Sequence, residues 1–388
     1  MKNNLQSLNL ENLKNIVVGS TFFGGGGGGS REEGDALVEL MKEEGGSGLE
    51  IPLVQVSQME TKKDGREVVS TMVAALGSPT ATKGKTFVDE AQNAVEGMIR
   101  EAKNSKKELV YIYSGEQGGG NTMLPIYVAY KKGMPLLDVD GNGRAVPAMD
   151  TGLQPIHGVP TSPVVLASEA GDTIVGTTKD PLDCKACEQI ARYLCQAYDQ
   201  GIGFAAWMMN KEQHEAASAV GQLSESDAVG EIFRNQKSEE VLDALANYFE
   251  RENRAFCVLC KKGVIEKIEM DASGGFDRGF TWITGDDGTT WKVLFQNENL
   301  VAYQGEDLAA ATVPGIITLI DLADKETQKA MPVSNTETYQ GQCVALVYVE
   351  PPAGWSSIPQ GYTCWTEILI SAGYCEVGKQ VIPKGADA

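Results

Sequence analysis

The chain has 388 residues, which corresponds to about two domains at roughly 150 residues per domain. Its 33 Lys and Arg against 53 Asp and Glu give a formal charge of −20, which excludes binding of nucleic acid or an anionic membrane by bulk charge. No apolar run approaches the ~18 residues of a membrane helix, and the N-terminus lacks the apolar region of a secretory signal. We therefore expect a cytoplasmic protein with no membrane partner.

Helical and strand patterns alternate along the first part of the chain. Apolar residues at helical spacing predict a helix over Leu8–Val18. Six glycines follow at Gly24–Gly29, and Ser30 then fits the N-cap of a second helix. The next elements predicted are two strands and an amphipathic helix, at Ile51–Val56, Val68–Leu76 and Val88–Ala102.

A strand–helix–strand unit comes next. The apolar run Leu109–Tyr113 reads as a buried strand, Thr122–Lys131 as a helix and Met134–Val139 as a second strand. Such a unit forms neighbouring parallel strands with a right-handed crossover. Two further helices are predicted at Cys184–Tyr198 and Ser238–Arg251.

The pattern changes near residue 250, where short apolar runs bounded by Gly and Asp replace the helical periodicity. We predict an α/β domain with a mainly parallel sheet over residues 1–245, which carries the Gly-rich loops and an acid cluster. A β-rich domain follows over residues 246–388.

The acid cluster is the first candidate for chemistry. Glu116 lies just past the Leu109–Tyr113 strand, and Asp138 and Asp140 lie at the end of the next strand. The carboxyl ends of neighbouring parallel strands meet at one edge of a sheet, where ligands bind. We predict that these three acids are catalytic, either as general acids and bases or as ligands of a divalent metal such as zinc or manganese. The alternative is a set of solvated loop acids.

Glycines and polar side chains near the acids are candidates for holding a substrate. Glycines let backbone N–H groups approach a developing oxyanion, although a tightly packed turn is the alternative. No strand precedes the six glycines, and the Gly77–Thr86 segment fails the spacing of a phosphate loop, so no nucleotide is expected. The residues predicted to bind substrate are Gly25, Gly26, Gly27, Gly28, Gly119, Asn121 and Arg144.

Three other features have both functional and structural interpretations. The pairs Cys184/Cys187 and Cys257/Cys260 resemble zinc half-sites, but 69 residues separate them, so free buried thiols are favoured. His157 is a loop histidine, and His214 is predicted on the surface of a helix. The segment Phe295–Leu300 is predicted to close a strand, with Gln296, Glu298 and Leu300 on one face.

An ordered set of motifs resembles the S-methyl thiohydantoin desulfurase-like family, which includes proteins encoded near hydantoin-utilisation genes. The resemblance covers about residues 8–350 and implies an N-terminal α/β domain followed by a β-rich domain. It also implies a small cyclic amide or thioamide substrate and hydrolytic chemistry. The motifs are the glycine stretch after the first helix, Gly77-Ser-Pro79, Glu116-Gln-Gly-Gly-Gly-Asn121, Asp138-Val-Asp-Gly-Asn-Gly-Arg-Ala145, Gly275-Phe-Asp-Arg-Gly279 and Phe295-Gln-Asn-Glu-Asn-Leu300.

The chain departs from the family pattern at two acids. Ala148 stands where the family usually has an acid, and Gly315 stands where the family has the Asp of Pro-Asp-Leu-Ile. Two functions therefore remain open: a hydrolase acting on a cyclic amide or thioamide, and a non-catalytic small-molecule-binding protein or accessory subunit. The sequence leaves a homo-oligomer open as well.

Overall fold

The protein is described from a computed structural model, in which residues 5–77, 85–198, 200–271 and 276–384 are described. Most of the Gly77–Thr86 segment and Gly275 lie outside the described residues. No helix in the described ranges is long and apolar enough to cross a membrane.

The first sheet is mixed, with a parallel centre. Its strand order is β1-β2-β6-β5-β4-β9-β7-β8, with β10 beside β6 and β3 beside β4. The central strands β2, β6, β5 and β4 run parallel, and the other pairings are antiparallel. Within the described residues the strands are β1 Ser7–Leu8, β2 Ile51–Val54, β3 Lys62–Lys63, β4 Arg66–Gly77, β5 Lys107–Ser114, β6 Leu136–Asp140, β7 Val164–Ala167, β8 Thr173–Gly176, β9 Gly201–Met209 and β10 Ala219–Val220.

Helices cover both faces of this sheet. Apolar residues of α1, α2, α3 and α4 pack on one face, and those of α6 pack on the other. The described helices are α1 Leu10–Gly24, α2 Arg31–Gly45, α3 Val88–Asn104, α4 Gly119–Lys132, α5 Leu153–Ile156, α6 Cys184–Ala197, α7 Lys211–Ala217, α8 Gln222–Asn235, α9 Val241–Arg251, α10 Gln360–Thr363 and α11 Thr366–Ser371.

The second sheet is antiparallel throughout. Its strand order is β15-β14-β13-β12-β11-β18-β16-β17. The α/β domain and the β-rich domain predicted from the sequence are thereby confirmed. The described strands are β11 Phe256–Asp271, β12 Arg278–Gly285, β13 Thr290–Gln296, β14 Glu298–Gln304, β15 Leu308–Thr312, β16 Ile316–Asp321, β17 Met331–Val333 and β18 Cys343–Val349.

Helix α1 connects the two sheets. Its first half packs with the α/β core, whereas Val18, Phe22 and Phe23 pack against β16 and β18 of the second sheet. Helix α8 lies alongside α1 at such close range that a Cβ at Gly19 or Gly230 would meet the backbone of the other helix at 1.9 or 1.8 Å. Because α1 ends at Gly24, the segment Gly24–Gly29, here called the glycine loop, lies at the junction of the two domains.

Three predicted elements differ in the structure. Helix α1 does not end at Val18 but continues to Gly24, because the second sheet buries its last turns. The runs near 256 and 264 form one bulged strand, β11, rather than two. Phe295–Leu300 does not close a strand: Asn297, at φ 56°, is the turn between β13 and β14.

Candidate functional site

The predicted acids do meet at one sheet edge. Strands β5 and β6 are parallel neighbours, and Ser114 at the end of β5 pairs with Asp140 at the end of β6. Glu116 follows β5 by two residues. The contacts of each acid then determine which of them remains available for chemistry.

Asp138 is occupied by the start of helix α8. Its Oδ1 accepts from the backbone N–H groups of Leu223 and Ser224, at 3.0 and 3.1 Å. Its Oδ2 accepts from the Ser224 hydroxyl at 2.5 Å and from the Gln55 amide at 2.8 Å. A carboxylate at a helix N-terminus satisfies donors that have no partner within the helix. These contacts give Asp138 the role of fixing α8 to the sheet.

Asp140 is occupied in the same manner. Its Oδ2 accepts from the Ser114 hydroxyl at 2.8 Å and the Gln117 amide at 2.9 Å. Its Oδ1 accepts from the backbone N–H groups of Asn142 and Gly143, at 2.9 and 2.6 Å. Burial raises the pKa of Asp140 to about 6, and the four donors oppose that rise. Asp140 thus fixes the loop that follows β6.

The three predicted acids do not fit a shared metal ion. All four oxygens of Asp138 and Asp140 already accept hydrogen bonds from protein donors. Across the described ranges, no group of three His, Cys, Asp or Glu side chains is placed to hold a metal. Neither the acid cluster nor the paired cysteines therefore supply the donor set of a zinc or manganese site.

Glu116 is held differently from the two aspartates. Its Oε1 accepts from the Asn121 amide at 2.5 Å, and its Oε2 accepts from the Val146 N–H at 2.9 Å, with part of the residue exposed. Burial raises the pKa of Glu116 to about 7, and the charge of Asp140 adds to that rise. A carboxyl group with this pKa exchanges protons readily near neutral pH.

The glycine loop is bound by backbone contacts to the second domain. The carbonyl of Gly25 accepts from the Asn299 N–H, and that of Gly26 accepts from the Asn335 N–H, both at 2.8 Å. The Ser334 hydroxyl donates to the same Gly26 carbonyl at 3.1 Å. The loop is thus fixed against β14 and the segment after β17.

The glycine loop also packs closely against the backbone around Gln117 and Asn121, at the start of α4. The carbonyl of Gly28, a residue with φ 75°, accepts from the Asn121 N–H at 3.0 Å. A Cβ at Gly28 would lie 2.1 Å from the Gln117 carbonyl oxygen, and one at Gly119 would lie 2.1 Å from the Ser30 carbonyl oxygen. A tightly packed turn therefore accounts for these glycines, and their substrate-binding role stays a prediction.

Arg144 is fully buried at the domain junction. Its Nη1 donates to the carbonyls of Pro314 and Gly315, at 2.7 and 2.9 Å, and its Nε donates to the Ala145 carbonyl at 2.9 Å. The guanidinium lies over the ring of Trp365, 4.6 Å from the centroid. Its Nη2 has no hydrogen-bond partner among the described residues.

Three polar residues form a row on the second sheet. Arg278 on β12 pairs with Gln296 on β13, and Gln296 pairs across the Asn297 turn with Glu298 on β14. Directly opposed residues project from the same face of a sheet, so the three side chains form a cross-strand row. The row faces the glycine loop, because a Cβ at Gly27 would lie 2.4 Å from Glu298 Oε1.

The cross-strand row contains buried polar atoms that lack partners. Gln296 is 0% exposed, and neither its Oε1 nor its Nε2 is hydrogen-bonded within the described structure. Glu298 is 3% exposed, and its Oε2 is also unpartnered, as is Nε of Arg278. Buried polar groups in proteins are nearly always hydrogen-bonded, so several such atoms together point to a partner from outside the chain, either water or a ligand.

The charges of Glu298 and Arg144 influence each other. Burial raises the pKa of Glu298 to about 8; Glu116 adds to the rise and Arg144 opposes it. Burial lowers the pKa of Arg144 to about 10, against the effect of the Glu298 charge. Near neutral pH, Glu298 is therefore mainly a neutral carboxylic acid beside a cationic guanidinium.

The site thus combines predicted and unpredicted residues. The structure brings Glu116, Asn121 and Arg144 together with the glycine loop, and it leaves Asp138 on the α8 side. The sequence did not single out Gln296, Glu298 and Arg278 as one group. Their motifs were visible, but only the strand register places them side by side.

The two histidines lie outside this group. His214 is completely buried, with Nε2 2.6 Å from the Ser70 hydroxyl and Nδ1 2.9 Å from the Ser218 hydroxyl. The predicted surface position is therefore wrong, because α7 turns this residue into the core. Burial lowers the pKa of His214 to about 3. His157 lies 3.4 Å from the Gly354 carbonyl.

Comparison with known proteins identifies two family segments. Residues 11–178 match the S-Me-THD-like N-terminal domain, and residues 182–366 match the S-Me-THD-like C-terminal domain. The strands of the first sheet extend to Val220, so the two family segments meet within the α/β sheet. The boundary predicted at 245 lies between the two sheets and stays a prediction.

A solved structure shares the fold. A crystal structure of a protein from Chromobacterium violaceum has a TM-score of 0.76 and 23% sequence identity, and the similarity covers 95% of this chain and 97% of that chain. No curated protein matches the chain significantly. The two family segments together span most of the sequence, and the chain is a member of the S-methyl thiohydantoin desulfurase-like (S-Me-THD-like) family.

Proposed function

We propose that this protein hydrolyses a small cyclic amide or thioamide of the hydantoin or thiohydantoin type at the junction of its two domains. Family membership supports a hydantoin-related role at a coarse level. The finer proposal depends on Gln296, whose amide is buried and without partners on both its donor and its acceptor side.

The Gln296 amide is complementary to one edge of a cyclic amide. A ring of this type holds its amide in the cis geometry, so that the N–H and the C=O lie side by side. The Gln296 Oε1 accepts from that N–H, and its Nε2 donates to that carbonyl. A site built to hydrogen-bond a polar group discriminates strongly against molecules that lack it.

The neighbouring groups suit acid–base hydrolysis. Glu116 takes a proton from water as the water oxygen bonds to the ring carbon, and the unpartnered Arg144 Nη2 stabilises the negative charge that develops. In a cyclic amide the C–N bond of the oxyanion then breaks, and protonated Glu298 gives its proton to the leaving nitrogen. In an S-alkyl thiohydantoin the proton of the added hydroxyl passes to the ring nitrogen as the C–S bond breaks, and the leaving thiolate takes the proton of Glu298. Proton transfer from Glu116 back to Glu298 restores both groups.

A non-catalytic binding protein is the second candidate. Gly315 stands where the family has an aspartate, and its carbonyl accepts from Arg144. A Cβ at Gly315 would lie 2.1 Å from the Tyr348 ring, so this chain has no room for an acid there. A binding protein of this kind predicts saturable binding of a hydantoin with the ring left intact.

Replacement of Gln296 by Leu tests the proposal. Gln296→Leu removes two unpartnered polar atoms from a buried position, so we expect the melting temperature to rise by a few degrees, corresponding to about 1–2 kcal/mol. Binding of hydantoin or S-methyl thiohydantoin, measured by calorimetry, should be lost. Mass spectrometry of wild-type incubations reports ring opening or thiol release, which distinguishes an enzyme from a binding protein.

Gln342 offers a matched control. It is also buried, but its amide donates to Asp321 at 2.7 Å and accepts from the Tyr339 N–H at 3.2 Å. We therefore expect Gln342→Leu to lower the melting temperature and to leave hydantoin affinity unchanged. If Gln296→Leu behaves like Gln342→Leu, with lower stability and normal binding, the proposed role of Gln296 is wrong.

A further inference from the structure

One N–H group of Arg278 is buried without an acceptor. Asp271 lies opposite Arg278 on β11, and Nε of Arg278 has no hydrogen-bond partner among the described residues. A buried N–H group without an acceptor is costly unless a ligand provides one.

An aromatic ring lies beside Arg278. Its guanidinium lies 5.7 Å from the centroid of the Phe276 ring, and the guanidinium of Arg192 lies 4.7 Å from the same centroid. Arg192 is paired with Glu188, whose Oε1 accepts from it at 2.6 and 2.8 Å. Arg192 therefore needs no further anion, and the contact with Phe276 helps to fix the Arg278 guanidinium.

This group adjoins the proposed ring-binding site. Arg278 projects from the same face of the sheet as Gln296, its cross-strand partner. Glu188 is close enough to Glu116 for its charge to raise the Glu116 pKa. Phe276, Arg278 and Glu116 are all partly exposed, whereas Gln296 is buried.

We infer that Arg278 binds a carboxylate carried by the substrate, so that the preferred substrates are cyclic amides with an anionic side chain. This inference rests on the proposed function and names its substrate class. The planar guanidinium fork matches a carboxylate in two parallel hydrogen bonds, and Phe276 holds the fork in place. The ring of the substrate then lies on Gln296, and its side chain extends toward Arg278.

Two matched probes test the inference by calorimetry. Hydantoin-5-acetic acid carries the carboxylate, and hydantoin-5-acetamide is its neutral analogue. We expect the wild type to bind the acid about tenfold or more tightly than the amide, because a charge-assisted hydrogen bond exceeds a neutral one by that factor. In Arg278→Met, both probes should bind with the affinity that the wild type has for the amide.

Two further variants complete the test. Arg66→Met removes an exposed arginine that pairs with Glu108, and it should keep the wild-type preference for the acid. Arg278→Lys keeps the charge but loses the planar fork, so it should retain part of the preference for the acid. This variant also provides a test if Arg278→Met fails to fold.

The outcomes separate the two proposals. Equal binding of both probes by the wild type, or an unchanged preference in Arg278→Met, overturns the role of Arg278 and leaves the proposed function intact. Failure of the wild type to bind either probe overturns the proposed function and this inference with it.

Discussion

Two pairs of acids differ in how their oxygens are satisfied. Asp138 and Asp140 accept hydrogen bonds on every oxygen, from α8, from the loop after β6 and from the side chains of Gln55, Ser114 and Gln117. Glu298 has an unpartnered oxygen, and Glu116 has one donor on each oxygen and is partly exposed. The two pairs share the same chemical group but not the same environment.

The difference shows that position at a sheet edge does not by itself make an acid catalytic. Donors that occupy every oxygen of a carboxylate hold it in one geometry and leave fewer of its lone pairs for a substrate or water. Glu298 keeps an oxygen without a protein donor, and Glu116 is partly exposed, so both can contact a ligand. We therefore propose structural roles for Asp138 and Asp140 and chemical roles for Glu116 and Glu298, while the catalytic roles predicted for the two aspartates stay predictions.

Replacement of Glu116 should give the largest effect on turnover. Glu116→Gln removes the proposed base, and we expect kcat to fall by about 10²–10⁴-fold. The free energy of unfolding should change by less than about 1 kcal/mol, because burial already disfavours the charged form. Steady-state assays and thermal melts measure the two effects, and the exposed Glu239→Gln is the control. Normal turnover by Glu116→Gln would show that another group acts as the base.

Replacement of Asp138 should give the largest effect on stability. Asp138→Ala leaves the Leu223 and Ser224 N–H groups and the Gln55 amide without an acceptor, which costs about 2–4 kcal/mol. Chemical denaturation measures this loss, with exposed Asp243→Ala as the control. If Asp138→Ala has wild-type stability but no activity, Asp138 has a catalytic role and not a structural one.

The pH dependence of stability sharpens the assignment of Glu298. Its pKa rises from 4.5 to about 8 on folding, so only the unfolded chain releases this proton between those values. The contribution of Glu298 to the free energy of unfolding is therefore complete below its unfolded-state pKa of 4.5, and it falls as the pH rises from there to about 8. Glu298→Gln removes that loss, and its stability advantage over wild type should grow by on the order of 3 kcal/mol from about pH 5 to about pH 8. A pH-independent difference in thermal melts would contradict the raised pKa.

A substitution in the glycine loop should have the smallest effect on the free energy of unfolding. A Cβ at Gly27 would meet the end of the Glu298 side chain at 2.4 Å, and that side chain moves more easily than backbone. Gly27→Ala should therefore cost less than about 1 kcal/mol of stability while it displaces Glu298 and lowers turnover. Gly48→Ala, with nothing within 4 Å of its Cβ, is the control. Unchanged turnover in Gly27→Ala would indicate that the position of Glu298 is not critical.

The sequence predicted the elements better than it predicted their contacts. Hydrophobic periodicity located α3 and the β5–α4–β6 unit closely, because one face of each element packs against the core. It ended α1 too early, since the apolar residues of its last turns contact a sheet more than 290 residues later in the chain, where the Thr318 hydroxyl donates to the Phe22 carbonyl. Local pattern carries no information about such a partner.

The candidate site was predictable only in part for the same reason. Glu116, Asn121 and Arg144 belong to the loops after β5 and β6, and the strand–helix–strand pattern places them together. The cross-strand row depends on the register of β12, β13 and β14, which a one-residue turn at Asn297 determines. Likewise, nothing in the sequence indicated that α8 would occupy Asp138.

The most direct test of this account is a crystal structure of the protein with bound hydantoin. We expect the ring to lie between the glycine loop and the cross-strand row, with its N–H and C=O within hydrogen-bond distance of the Gln296 amide and with Glu116 beside it. Asp138 should keep its contacts with α8. A ring bound at Asp138 and Asp140, or a Gln296 amide that bonds only to protein, would contradict the account.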